Sequence, residues 1–123
     1  MASGKATHSH YGVAGPFPHE RLVAYQVGLQ LLGWVQGISS RIPRGRSHLR
    51  DQLTRASDSV VLNIAEAADI PGKVRLNHFR IAKRSTAECH AAIQLLEIAG
   101  LKGSQEGVDL AHRLNALLGG LLR

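Results

Sequence analysis

Apolar residues recur at three- and four-residue steps through most of this chain, the signature of amphipathic helices, and nowhere does the alternation of a half-buried strand persist. Breakers divide the pattern into four helical stretches. Pro16 and Pro18 precede the first, which starts near His19. Leu22, Tyr25, Leu29, Leu32 and Gln36 form its main stripe, with Val27, Leu31, Trp34 and Ile38 beside it. Ile42-Pro43 ends it, because a residue before proline avoids the helical region. The second stretch begins near Ser47, read as an N-cap, and runs to about Asp69, where Pro71-Gly72 stops it. The third spans about Val74 to Ala99 and closes on Gly100. The fourth starts at the cap Ser104 and carries Val108, Ala111, Leu114, Leu118 and Leu121 on one face, with fraying expected at Gly119-Gly120. Gly28, Gly33 and Gly37 are costly inside the first stretch and are read as sites of close helix contact.

Short links make sequential helices antiparallel, so the expected fold is all-α, an up-down-up-down four-helix bundle. Residues 19–123 are assigned to it and residues 1–18, a mixture of Gly, Ser, His and Pro, to a flexible N-terminal tail. The length of 123 residues suits a single domain.

On a helical wheel, Leu49, Leu53, Ala56, Val60, Ile64 and Ala67 share the core face of the second helix. Gln52, Arg55, Ser59, Asn63 and Glu66 line its flank. The third helix presents Phe79, Ala82, Thr86, Cys89, Ile93 and Leu96, with Ser85 and Glu88 inside the apolar arc. Buried polar groups need partners. Arg55, Ser59, Asn63, Glu66, Ser85 and Glu88 are therefore read as one structural network that fixes helix register, with Arg55 pairing Glu88 or Glu66. Glu66 and Glu88 as an acid–base pair is a distant alternative, since no substrate pocket is apparent. Val61, Leu62 and Ala65 on the second helix, and Ala87, Ala91 and Ile98 on the third, point away from these core stripes. A helix that is apolar on nearly all sides is buried on nearly all sides, so these six are read as an interface with another copy of the chain.

Composition sharpens the picture. Aromatics make up only 4% of the chain, so aliphatic side chains must do the packing. The net charge is +6 and the pI near 10.3, a surface that attracts polyanions. Arg41, Arg44, Arg46 and Arg50 cluster at the first turn. Lys73 and Arg75 sit at the second, and Arg80, Lys83 and Arg84 lie on the outer face of the third helix. Dispersed cations suit sequence-independent contact with RNA or DNA phosphates rather than base readout, and sparse aromatics argue against stacking on single strands. A merely solvated cationic surface is the competing reading. One cysteine permits no intrachain disulfide and fits a reducing cytoplasm. No stretch reaches the roughly 18 apolar residues of a membrane span, and no signal-peptide core is visible. The seven histidines show no H-x-x-x-H spacing and there is no C-x-x-C, so neither a metal nor a cofactor is expected.

The motifs have a family likeness. Tyr25-Gln26, Ile42-Pro43, the run Arg55, Ala56, Ser59, Val60, Asn63, Ile64, Ala65 and Glu66, and then Phe79, Ile81-Ala82, Ser85 and Glu88, follow in an order that resembles the four-helix-bundle family encoded by intervening sequences of 23S ribosomal RNA genes. The likeness covers about Pro18 to Leu101. It departs at Ala67 and Ala68-Asp69, where the family usually has Gly and then a Gly-Arg turn. The resemblance implies a small non-enzymatic bundle assembling into rings, often homopentamers. It also implies kinship with the accessory proteins of diversity-generating retroelements, which bind nucleic acid and associate with a reverse transcriptase. The expectation is a homo-oligomer that binds RNA or DNA, with a protein–protein scaffold as the alternative.

Overall fold

The computed structural model describes residues 15–123, and most of the expected tail lies outside them. Within the described residues there are four α-helices and no strand: α1 Val23–Ile38, α2 Ser47–Ala68, α3 Gly72–Ile98 and α4 Gln105–Leu121. Short 3₁₀ turns, Pro18–Arg21 and Ser39–Arg41, flank α1. α1 starts later than His19 because the chain first makes a separate turn. The Phe17 N–H donates to Glu20 Oε1, and Leu22 is extended before α1 begins. α2 and α3 share the broadest contact, each helix packs on its sequence neighbours, and α1 closes against α4. These contacts are consistent with an up-down-up-down arrangement.

The connections follow local chemistry. Gly72 takes φ +74° at the corner between α2 and α3, which glycine adopts without strain and which lets α3 begin directly after Pro71. Gly100, at φ +111°, stops α3 as expected. Neither serine caps its helix through its side chain. Arg46 occupies the cap of α2 and Ser47 is already helical, while the Ser104 hydroxyl donates to the Glu97 carboxylate instead. α4 continues through Gly119-Gly120 to Leu121, its Leu118 fully buried and Leu121 packed against the core.

Leu31, Ile38, Leu53, Val60, Ile64, Phe79, Ile93, Leu96, Leu114 and Leu118 are fully buried. Each such side chain contributes about 1.5–3 kcal/mol relative to exposure. The stripes expected on α2, α3 and α4 face this core. That expected on α1 is rotated. Its buried residues are Ala24, Val27, Gly28, Leu31, Trp34, Val35 and Ile38, while Leu29 and Leu32 are half-buried and Gln36 is exposed. α1 contains no charged residue to mark an outer face, so the pattern admitted both choices. Val61 also belongs to the core. Only 8% of it is exposed, and its Cγ2 lies 3.4 Å from where a Cβ on Gly28 would sit. It is therefore removed from the expected interface. Gly28 does mark a close helix approach, but Gly33 and Gly37 are exposed with open space beside them.

Candidate nucleic-acid interface

The polar seam between α2 and α3 holds the basic face in register, and it resolves into two short chains rather than one network. In the first, Arg55 Nη2 donates to Gln52 Oε1 (3.0 Å), and Gln52 Nε2 donates to Glu88 Oε2 (3.2 Å). Gln52 thus stands between Arg55 and the carboxylate expected to meet it. In the second, Ser85 Oγ donates to Ser59 Oγ (2.9 Å), which also accepts from Asn63 Nδ2 (3.2 Å). Asn63 Nδ2 further donates to the Ser59 carbonyl (2.9 Å), which leaves Asn63 Oδ1 to accept from His78 Nδ1 at 2.9 Å. Partner numbers fall along α3 as they rise along α2, so a one-turn slip would break both chains together.

Glu66 takes no part. It is exposed, and it lies fourteen residues beyond Gln52, roughly 21 Å along the helix axis. Because Gln52 holds Glu88, the two glutamates are far beyond the ~5–9.5 Å spacing of paired catalytic carboxylates. His78 was missed in the sequence because nothing on α3 alone reveals that it faces Asn63.

The expected cations separate into three environments. Arg41, Arg44 and Arg46 are exposed at the first turn, where Arg41 Nη1 reaches the α3–α4 connection, 3.2 Å from the position of a Cβ on Gly103. Arg50 is half-buried and forms an ion pair with Asp51 at 3.7 Å. Lys73 is exposed, but Arg75 is engaged: its Nη1 donates to the Ala67 carbonyl (3.4 Å) and its guanidinium lies 5.2 Å from the Phe79 ring centre. Arg75 thus closes the C-terminal end of α2, which makes it a structural residue rather than a free phosphate contact.

Arg80, Lys83 and Arg84 are the cations brought together. With Ala87 on α3 and Asn115 and Leu122 on the α4 side, they line a hollow of about 280 Å³. A second hollow, about 220 Å³, continues it along the same groove past Ala87 and Asn115 to Thr86, His90, Ala111 and His112. The His90 and His112 rings stand 5.2 Å apart, tilted by 34°. Ala87, an expected interface position, is exposed and lines both hollows. The remaining expected interface positions are Leu62, 67% exposed, Ile98, 85% exposed, Ala91, also exposed, and the half-buried Ala65. Leu62 and Ala65 lie on α2 beside the start of α3, whereas Leu95, also exposed, stands with Ile98 near the end of α3 and lines a separate hollow with Leu49 and Arg46. The outer face of α3 thus carries its cations in the first half, while Leu95 and Ile98 stand exposed near its end beside Gln94 and Glu97.

The Cys89 thiol is buried among core residues, and burial, then the neighbouring Glu88 charge, pushes it up to about 12. It packs as a small hydrophobe. Among the described residues, no three His, Cys, Asp or Glu side chains gather as metal ligands, and no helix is long and apolar enough to cross a membrane.

Residues 20–121 match the 23S rRNA-intervening sequence protein family. The chain belongs to that family. The match extends through α4, beyond the motifs that first suggested the likeness, and its all-helical, four-helix fold agrees with what the resemblance implied. No curated protein and no solved structure matched the chain.

Proposed function

We propose that this family member is a non-enzymatic, antiparallel up-down-up-down bundle that associates with copies of itself and binds RNA or DNA through phosphate contacts. The observation that carries the reading is the clustering of Arg80, Lys83 and Arg84 along one side of the α3–α4 groove, with no carboxylate paired to them among the described residues. Cations placed so are available to phosphates, whereas Arg50 and Arg75 already have partners. The exposed Leu62, Leu95 and Ile98 support self-association, because their burial in a ring such as a pentamer would remove apolar surface from water. The more specific role we propose, helper to a reverse transcriptase in the cytoplasm, rests on the kinship with retroelement accessory proteins that the sequence resemblance implies.

The test is a binding titration with RNA and DNA oligonucleotides across salt concentrations. Binding should weaken steeply with salt and tolerate any sequence, and each phosphate contact removed should lower the log–log slope by about 0.7–0.9. Reversing Arg80, Lys83 and Arg84 to Glu should abolish binding while sparing assembly, because none of the three is among the exposed apolar residues Leu62, Leu95 and Ile98. Absence of binding at low salt rejects the reading and leaves the protein–protein scaffold, which the same exposed apolar residues favour.

A further inference from the structure

We propose that the α3–α4 groove is a single-strand site: its cationic end takes a backbone phosphate and its histidine end takes an unstacked base. This rests on the nucleic-acid reading above and adds to it which strand form binds and what holds the base. Two features of the groove point to a nucleotide rather than a bare anion. First, its two hollows are chemically different but continuous, sharing Ala87 and Asn115. One is walled by Arg80, Lys83 and Arg84, the other by the paired rings of His90 and His112. Arg84 and His90 are six residues apart, a rise of about 9 Å along α3, comparable to the reach from a nucleotide's phosphate to its own base. Second, the ring end offers both kinds of contact an unpaired base uses. Imidazoles provide a stacking surface, and the exposed Asn115 amide between the hollows provides a donor and an acceptor for a base edge.

Two other occupants fit less well. A metal ion would find only two imidazoles, in the same groove as three cations that repel it. The bases of a duplex are stacked inside it, so a duplex could offer the groove only phosphates and would leave the ring hollow unfilled. Phe, Tyr and Trp are sparse, but here the rings come from histidines on two helices that meet across the groove.

Fluorescence anisotropy with a short single-stranded oligonucleotide and a duplex of equal length, at low fixed salt, tests the assignment. His90→Ala/His112→Ala should weaken single-strand binding by about tenfold, leave duplex binding unchanged and keep the salt slope, since stacking releases no counterions. His112→Tyr should preserve the affinity, because it retains a ring. Arg80→Ala/Lys83→Ala/Arg84→Ala should instead reduce the slope. Far-UV circular dichroism establishes that each variant is folded. Should the double alanine variant bind single strands as tightly as the parent, or lose duplex and single strand equally, the base site is refuted while phosphate binding stands. Should the parent bind neither form, both readings fall.

Discussion

Gly107 sits in the first turn of α4 against Trp34 of α1, and adding one methyl group there should have a measurable cost. A Cβ built on Gly107 would lie 2.4 Å from Trp34 Cζ3, 2.5 Å from Cη2 and 2.7 Å from Cε3. Carbon atoms pack at about 3.5–4.0 Å, so three ring atoms overlap the new group at once. The indole is buried and rigid, so either it rotates or α4 moves outward. Overpacking of this kind costs about 1–3 kcal/mol, and the depth of the overlap places Gly107→Ala near the top of that range. Alanine recovers up to about 1 kcal/mol of helix propensity. The net loss is then about 2 kcal/mol, or roughly 8 °C in Tm at about 2.1 cal/mol/K of unfolding entropy per residue. Gly33→Ala and Gly37→Ala are the controls. Nothing lies within 4 Å of either Cβ position, so each should gain up to about 1 kcal/mol. Thermal melts followed at 222 nm measure all three. Trp34→Phe should relieve the clash, so that Gly107→Ala costs less in the Phe background. A Gly107→Ala protein that melts at or above the parent temperature refutes the reasoning.

Cys89 should resist a thiol-reactive dye at pH 8 in the folded protein and react at once in denaturant, because its thiol is buried with a pKa raised from 9.0 to about 12. The sign follows: the unfolded chain releases this proton first, so the thiol's contribution to stability is complete below about pH 9 and is lost as pH rises towards about 12. Comparing the parent with Cys89→Ala isolates that slope, and equal slopes would refute it. Asn63→Ala removes the bonds to Ser59 and His78 and should destabilise by about 1–3 kcal/mol in denaturant titration, whereas Glu66→Ala, which breaks no side-chain bond, should be nearly neutral. Leu62→Glu/Ile98→Glu should shift the protein to a monomer in light scattering while its helicity persists, and an unchanged mass would reject those positions as the contact.

How much of this was legible in the sequence depended on whether polar residues marked the outside of a helix. On α2 and α3, charges alternate with the apolar stripe, and the stripe was read correctly from Leu53 to Ala67 and from Phe79 to Leu96. On α1 there are no charges, so apolar residues covered two faces and the wrong one was taken as the centre. Val61 was misplaced for a related reason: the absent side chain of Gly28 on the opposing helix makes room for it, and helix-wheel geometry on α2 carries no information about α1. The seam was recognised as a set of residues, but its pairings were not. Gln52 intervenes between Arg55 and Glu88, and Asn63 bonds the Ser59 carbonyl with its amide nitrogen and His78 with its amide oxygen. The basic cluster on α3 was visible from spacing alone. The groove it borders was not, because His112 and Asn115 come from a helix whose placement only the fold supplies.

The contact between Trp34 and Gly107 joins the first helix to the last. That makes it among the most non-local contacts in the molecule, and the loop it closes contains most of the remaining core. One side of the indole is covered only when the final rod is in place. Since this chain has a single tryptophan, its emission is an intrinsic gauge of that closure, readable during refolding without any label.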